Sequence, residues 1–115
     1  MKICAASVAT DDYYPVIGKH IPGGNSLNFA VQSAILGHNS SFLGAVGRDS
    51  MGDWLVKNVP GWGVDCSHLH QKDGKTASNV LQIKEDGERF NYPEDWHGGV
   101  YEKYSWPYKT EEEAL

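Results

Sequence analysis

The sequence predicts an α/β fold: a parallel sheet flanked by helices, followed by an antiparallel β portion. Two observations carry this. Residues 2–46 run in the order apolar strand, helical pattern, apolar strand. Residues 68–92 then change to short runs separated by Asp73-Gly74 and Asp86-Gly87, dipeptides suited to tight hairpin turns.

The first element, residues 2–9, is a small-residue apolar run bounded by Thr10-Asp11-Asp12, and it reads as a buried strand. Tyr13 to Ile17 follows as an edge-type strand, because Pro15 has no N–H to give to a central ladder. Pro22-Gly23-Gly24 breaks the chain. From Ser26 to Leu36, the residues Leu27, Ala30, Val31, Ala34 and Ile35 recur at helical spacing and share one face. Gly37 stands where a helix wants its C-terminal cap. Ser41 to Val46 is the next strand, and a second helix covers about 50–58 with Trp54, Leu55 and Val59 inward. The stretches 68–71, 77–84 and 88–92 read as three antiparallel strands. Thr110-Glu111-Glu112-Glu113 has the form of a capping box opening a helix. Only Ala114 and Leu115 follow, so the C-terminal side of the fold is expected to be missing. The alternative is a frayed acidic tail.

Composition excludes several classes. The 115 residues carry 10 Lys+Arg against 15 Asp+Glu, a net charge of −5, which leaves no excess of cations for a phosphate backbone. Hydrophobic residues make up 40%, too many for a disordered chain. No run of 18 apolar residues exists, and Asp11-Asp12 interrupts the first apolar run before it reaches signal-peptide length. Two cysteines, Cys4 and Cys66, make no disulfide framework, so a reduced, cytoplasmic setting is expected. Glycine is enriched, 13 of 115 residues against a usual ~7%, so several backbone positions should need positive φ or close approach.

The best candidate for chemistry is Gly23-Gly24-Asn25-Ser26-Leu27-Asn28. Two glycines admit a ligand to the backbone, and a helix start presents free N–H groups. Asn25 and Asn28 are one turn apart, and their amides both donate and accept, as sugar hydroxyls require. An ordinary capped loop is the alternative. Asp12 follows the first strand, at the end of a parallel sheet where ligands sit. Its carboxylate can accept two hydroxyl hydrogen bonds; a surface turn Asp is the alternative. Arg89 is a candidate contact for a carboxylate-bearing substrate, with Phe90 and Tyr92 on the opposite face of its strand; the alternative is a solvated Arg. Cys66, His68 and His70 fall on one face of an extended strand, yet three local ligands do not complete a zinc site, and no metal is expected. Gly74-Lys75-Thr76 echoes a phosphate-binding loop, but Leu69 stands where the first glycine belongs, so it reads as a hairpin turn.

Together these residues resemble the ribokinase-like, PfkB-type carbohydrate kinases. The resemblance rests on Asp12, on Pro22-Gly23-Gly24-Asn25-x-x-Asn28-x-Ala30-x-x-x-Ala34-x-Leu36-Gly37, and on Phe42-Leu43-Gly44-x-Val46-Gly47-x-Asp49-x-x-Gly52. Gly63-Val64-Asp65 and Thr76 extend it. Gly24 to Asn28, Gly63 to His70 and Gly87-Glu88-Arg89-Phe90 look most like fructoselysine and fructosamine kinases.

The resemblance implies a three-layer α/β fold and ATP-dependent phosphoryl transfer to a sugar hydroxyl, with a sugar or sugar-amine as the small-molecule partner. Asp12, Gly23, Gly24, Asn25 and Asn28 would bind the substrate, with Arg89 and Phe90 as lid contacts. The β lid, segments about 12–21 and 66–96, would close over the site and join copies into a homo-oligomer. The family's Gly-Ala-Gly-Asp, which supplies its catalytic base, does not occur; Gly44-Ala45-Val46-Gly47-Arg48-Asp49 only looks like it, with the spacing of the first signature. The nucleotide-binding part is missing as well, so ATP and Mg belong to the full-length protein only. Residues 1–115 alone are expected to be inactive. A different reading is a non-catalytic sugar-binding or oligomerisation module derived from this fold.

Overall fold

A computed structural model describes residues 1–103; the 110–113 capping box lies outside the described residues. The main sheet is parallel, in the order β1 (Lys2–Ala6), β4 (Asn39–Gly47), β5 (Val64–Lys72). A second sheet has β2 (Thr10–Tyr14) in the middle, antiparallel to β3 (Lys19–Gly23) and parallel to β6 (Ala77–Val80). β7 (Gln82–Ile83) and β8 (Arg89–Phe90) form a small antiparallel hairpin. Helices α1 (Asn25–Ile35) and α2 (Ser50–Asn58) pack on the main sheet, and α3 (Val100–Lys103) touches β4.

The parallel strand–helix–strand unit forms as the sequence predicts, because both faces of its logic are satisfied. Apolar residues of β1, β4 and β5 meet the apolar stripes of α1 and α2 in one core of Ala5, Leu27, Phe42, Val46, Leu55 and Val64, among others. Gly37 ends α1 at φ 92°, with its N–H bonded to the Ala34 carbonyl at 3.0 Å. The inward face of α1 is rotated from the expected one. Ile35 is 65% exposed while Ser33 is buried. The small side of the helix, Ala30 and Ser33, lies against the sheet, and the Ser40 hydroxyl donates to the Ala30 carbonyl at 2.7 Å. Trp54 is likewise not inward. It sits about 100° around the helix from buried Leu55, and its ring rests 5.7 Å from that of Trp62.

Four expectations in the β regions need correction. The second strand is Thr10–Tyr14 and central, not an edge strand over 13–17, because Pro15 starts a turn in which the Ile17 N–H bonds to the Tyr14 carbonyl at 3.2 Å. Pro22-Gly23 does not break the chain; it is extended in edge strand β3, where a missing N–H costs nothing, and the direction changes at Gly24, φ 101°. Asp73-Gly74 is not a hairpin: it carries the chain from β5 in the main sheet to β6 in the second. Residues 66–72 therefore run parallel to β4 in the main sheet. The single strand expected over 77–84 divides into β6 and β7. Asp86-Gly87 does close a hairpin, with Gly87 at φ 86° and Lys84 N–H bonded to the Glu88 carbonyl at 2.8 Å.

Candidate functional site

The sugar-binding candidates converge where the second sheet meets the start of α1. Two adjoining cavities share Asp12, Gly24 and Asn25. One, of about 430 Å³, also takes in Ser7, Thr10, Asn79 and Trp96. The other, of about 490 Å³, takes in Asn28, Glu88, Arg89 and Phe90. Asp12 does not stand in a turn after the first strand. It projects from the middle of β2, so the ladder to β3 and β6 fixes its backbone. Asn25 and Asn28, exposed on the first turn of α1, face the same cavity as their spacing predicts.

The glycines divide the work. Gly24 at φ 101° turns the chain from β3 into α1, and a Cβ there would strike the Val8 carbonyl oxygen. Gly23 is absent from both cavity walls; a Cβ there would collide with the Asp12 carboxylate. Glycine at this position makes room for the Asp12 side chain.

Asp12 is half-buried, and its electrostatics follow from that. Burial pushes its carboxyl above the ordinary aspartate value. The Thr10 hydroxyl, donating to Oδ1 at 2.8 Å, and the charge of Arg89 oppose the shift, while neighbouring Asp11 adds to it. The Arg89 Nη1 donates to the Tyr14 hydroxyl at 3.0 Å. Phe90 packs edge-on against Tyr92, ring centroids 5.4 Å apart, as strand alternation predicts. Arg89 is exposed to solvent, and its side chain lines the cavity wall.

Several residues of this region escaped the sequence reading. Thr10 lies two positions before Asp12, on the same face of an extended strand, so alternation alone signals it. Tyr101 carries no such signal. Its hydroxyl donates to the Ser7 carbonyl at 2.5 Å and accepts from the Ala45 N–H at 2.9 Å, linking α3 to the cavity edge. Ser7 itself has φ 111°, which is unusual for a residue with a side chain.

Asp49 is the hinge pin of the neighbouring loop. It caps α2 by accepting from the Gly52 N–H at 2.8 Å. It also accepts from the Thr76 N–H at 2.8 Å and the Thr76 hydroxyl at 2.7 Å. Burial pushes its carboxyl up, but the Thr76 and Gly52 amides, the Thr76 hydroxyl and Lys75 outweigh it and hold it below the ordinary value. A lowered folded value means stability that is present above the unfolded value of about 4 and lost as pH falls through the folded one. Asp12, with its raised value, acts in the opposite sense. In melts between about pH 6 and pH 3, the wild-type chain should therefore lose more stability than Asp49→Asn; parallel curves would contradict this assignment.

The remaining motifs do not form sites. A bulge in the β4–β5 register, between Ser41 and Leu43, shifts the alternation. Cys66 and Leu69 then pack toward the helix-side core, and His68 and His70 alternate away from Leu69, so Cys66 does not share a face with the two histidines. Among the described residues no group of three His, Cys, Asp or Glu stands together as a metal site. Gly74-Lys75-Thr76 does not fit a phosphate, because the Thr76 N–H is given to Asp49 and the Gly74 carbonyl to the Arg48 N–H. No helix among the described residues is long and apolar enough to cross a membrane.

A parallel sheet with helices on its face, a second sheet beside it and a polar cleft between them is the ribokinase-like α/β arrangement of sugar kinases. Residues 14–113 match the pfkB family carbohydrate kinases, and the chain belongs to that family. Fructosamine kinase FrlD of Bacillus subtilis (strain 168) is 34% identical over 89 residues, 77% of this chain and 31% of that protein. Fructoselysine 6-kinase of Escherichia coli (strain K12) is 32% identical over 102 residues, 83% of this chain and 38% of that protein. The crystal structure of fructokinase with bound ATP from Xylella fastidiosa superposes with a TM-score of 0.66 at 28% identity, covering 79% of this chain and 32% of that one. The chain thus spans about a third of the length of the curated relatives.

Proposed function

We propose that this chain is the sugar-binding part of an ATP-dependent carbohydrate kinase that phosphorylates a hydroxyl of a ketose or fructosamine-type sugar. The observation that carries the reading is the convergence of Asp12, Asn25, Asn28 and Arg89 on one cleft at the start of α1. Asp12 accepts from sugar hydroxyls and the two amides donate and accept around them. The β7–β8 hairpin, with Arg89 and Phe90, covers the cleft and limits water, which would otherwise compete for the phosphoryl group. The likeness to a fructosamine kinase and a fructoselysine 6-kinase supports the substrate class.

The base and the ATP and Mg sites are assigned to the rest of a longer protein. The 115 residues hold no Gly-Ala-Gly-Asp, and the one phosphate-loop echo has its amide engaged. The second reading is a sugar-binding or oligomerisation module derived from this fold, with the second sheet as its contact between copies. Calorimetric titration with fructose and N-fructosylglycine should give saturable binding, and incubation with ATP and either sugar should give no phosphorylated product. No binding of either sugar would refute the sugar site; sugar-dependent phosphorylation would refute the division of labour.

A further inference from the structure

We infer that Tyr101 is a positioning residue: its hydroxyl carries a rung of the main sheet that β1 and β4 do not make directly, and so holds the strained bend at Ser7 that forms the cavity edge. What is positioned rests on the sugar-site reading above; how it is positioned rests on hydrogen bonds alone. In a parallel ladder, a residue gives its N–H to the residue before its partner and takes the N–H of the residue after it. β1 and β4 keep register through Ala6 and Leu43, so the next pair is Ser7 and Gly44. The Ser7 N–H reaches the Leu43 carbonyl at 2.9 Å, as that register requires. The return bond, from the Ala45 N–H to the Ser7 carbonyl, is relayed. The Ala45 N–H donates to the Tyr101 hydroxyl at 2.9 Å, and that hydroxyl donates to the Ser7 carbonyl at 2.5 Å. The phenol thus stands between the two strands where they part.

The relay matters because of what Ser7 holds. At φ 111° it occupies a conformation that a residue with a side chain tends to leave. Leu43 fixes its N–H and Tyr101 its carbonyl, so the bend is secured on both sides. The residues flanking it build the cleft. The Ala6 carbonyl accepts from the Ser26 hydroxyl of α1 at 2.8 Å. The Val8 carbonyl oxygen lies where a Cβ on Gly24 would strike it. Ser7 and Val8 line one cavity with Asp12 and Asn25. Relaxation of Ser7 would therefore shift the start of α1 relative to β2. Tyr101 is itself placed by a strap that spans both sheets. His97 exchanges two backbone bonds with Ser78 of β6, at 2.8 and 2.9 Å, and the Val100 N–H bonds to the Lys75 carbonyl at 2.9 Å. Val100 is buried, which anchors the strap one residue before the phenol.

The test compares the wild-type chain with Tyr101→Phe and with Tyr101→Phe/Ser7→Gly, by amide hydrogen exchange and by calorimetric titration with fructose. Phenylalanine keeps the ring and removes only the relay. The Ala45 N–H should then exchange at least about tenfold faster, while Leu43, one rung earlier, keeps its protection. Fructose affinity should fall about tenfold, the effect of one buried hydrogen-bonding group left unpaired. Glycine holds φ 111° without strain, so the double variant should regain most of that affinity with the hydroxyl still missing. A hydroxyl that served stability alone would give no such recovery. Wild-type affinity in Tyr101→Phe, or no recovery in the double variant, overturns the positioning role. Unchanged Ala45 exchange in Tyr101→Phe overturns the relayed rung. A wild-type chain that binds no fructose removes the sugar site and the positioning role together; faster Ala45 exchange in Tyr101→Phe would then still support the rung.

Discussion

Asp12→Ala abolishes sugar binding and leaves the fold standing. The carboxylate spends one lone pair on Thr10, at 2.8 Å, and keeps the others for the cavity. Two charge-assisted bonds to hydroxyls, at about 1.5–3 kcal/mol each, correspond to a loss of roughly 100- to 10,000-fold in affinity. The melting temperature should not fall with it. Burial raises the Asp12 carboxyl above its unfolded value, so near neutral pH the ionised group opposes folding and its removal relieves that cost. Gly23→Ala reports on the same contact from the other side. Its Cβ would displace the Asp12 carboxylate, so it should weaken sugar binding in the wild-type chain and be tolerated structurally once residue 12 is alanine. Calorimetry and thermal melts on the two single variants and the double variant check this. Retained affinity in Asp12→Ala would sink the site, and a collapsed melt would show that the loss of binding was unfolding.

What could be read in advance depended on whether a residue's reason was local. Leu27, Ala30 and Leu55 recur at helical spacing because one helix face meets a core, and that periodicity is written in the chain. Gly37 and Asp86-Gly87 end elements by their own conformations, and they do so here. Asp73-Gly74 has the same local chemistry, yet it joins strands of different sheets, because β5 pairs with β4 across more than twenty residues of sequence. Only that long-range pairing decides the topology, and a dipeptide carries no trace of it. The site shows the same division. Asn25 and Asn28 converge because one helical turn brings them together, whereas Arg89 reaches the cleft through Tyr14, 75 residues away in sequence. Of the enriched glycines, Gly23 and Gly24 are expected to admit a ligand to the backbone and the others to take positive φ or close approach. Gly23 clears space for a side chain, and Gly47 clears space for another stretch of backbone.

Gly47→Ala destabilises the chain by about 3–5 kcal/mol. A Cβ at this position would strike the Gly74 carbonyl oxygen, the Lys75 carbonyl carbon and the Thr76 nitrogen. All three are backbone atoms, so no side chain can swing aside and the 74–76 loop itself must move. Overpacking of this kind costs about 1–3 kcal/mol. The displaced loop also breaks a connected set of bonds: Gly47 N–H to the Thr76 hydroxyl at 3.0 Å, Arg48 N–H to the Gly74 carbonyl at 3.0 Å, and Thr76 to Asp49 at 2.8 and 2.7 Å. Each buried bond contributes about 1 kcal/mol net, and Asp49 is the cap of α2 as well. Against a domain stability of roughly 5–15 kcal/mol, a change of this size shifts the denaturation midpoint far down. Gly61→Ala is the internal control: nothing lies within 4 Å of its Cβ position, so it should change stability by less than about 0.5 kcal/mol. Asp49→Ala breaks the same network from the other end. The double variant Gly47→Ala/Asp49→Ala should therefore lose less than the sum of the two single losses. Urea denaturation of the four variants decides the matter. A Gly47→Ala midpoint close to that of Gly61→Ala would show that the loop yields freely, and strict additivity with Asp49→Ala would show that loop and cap are independent.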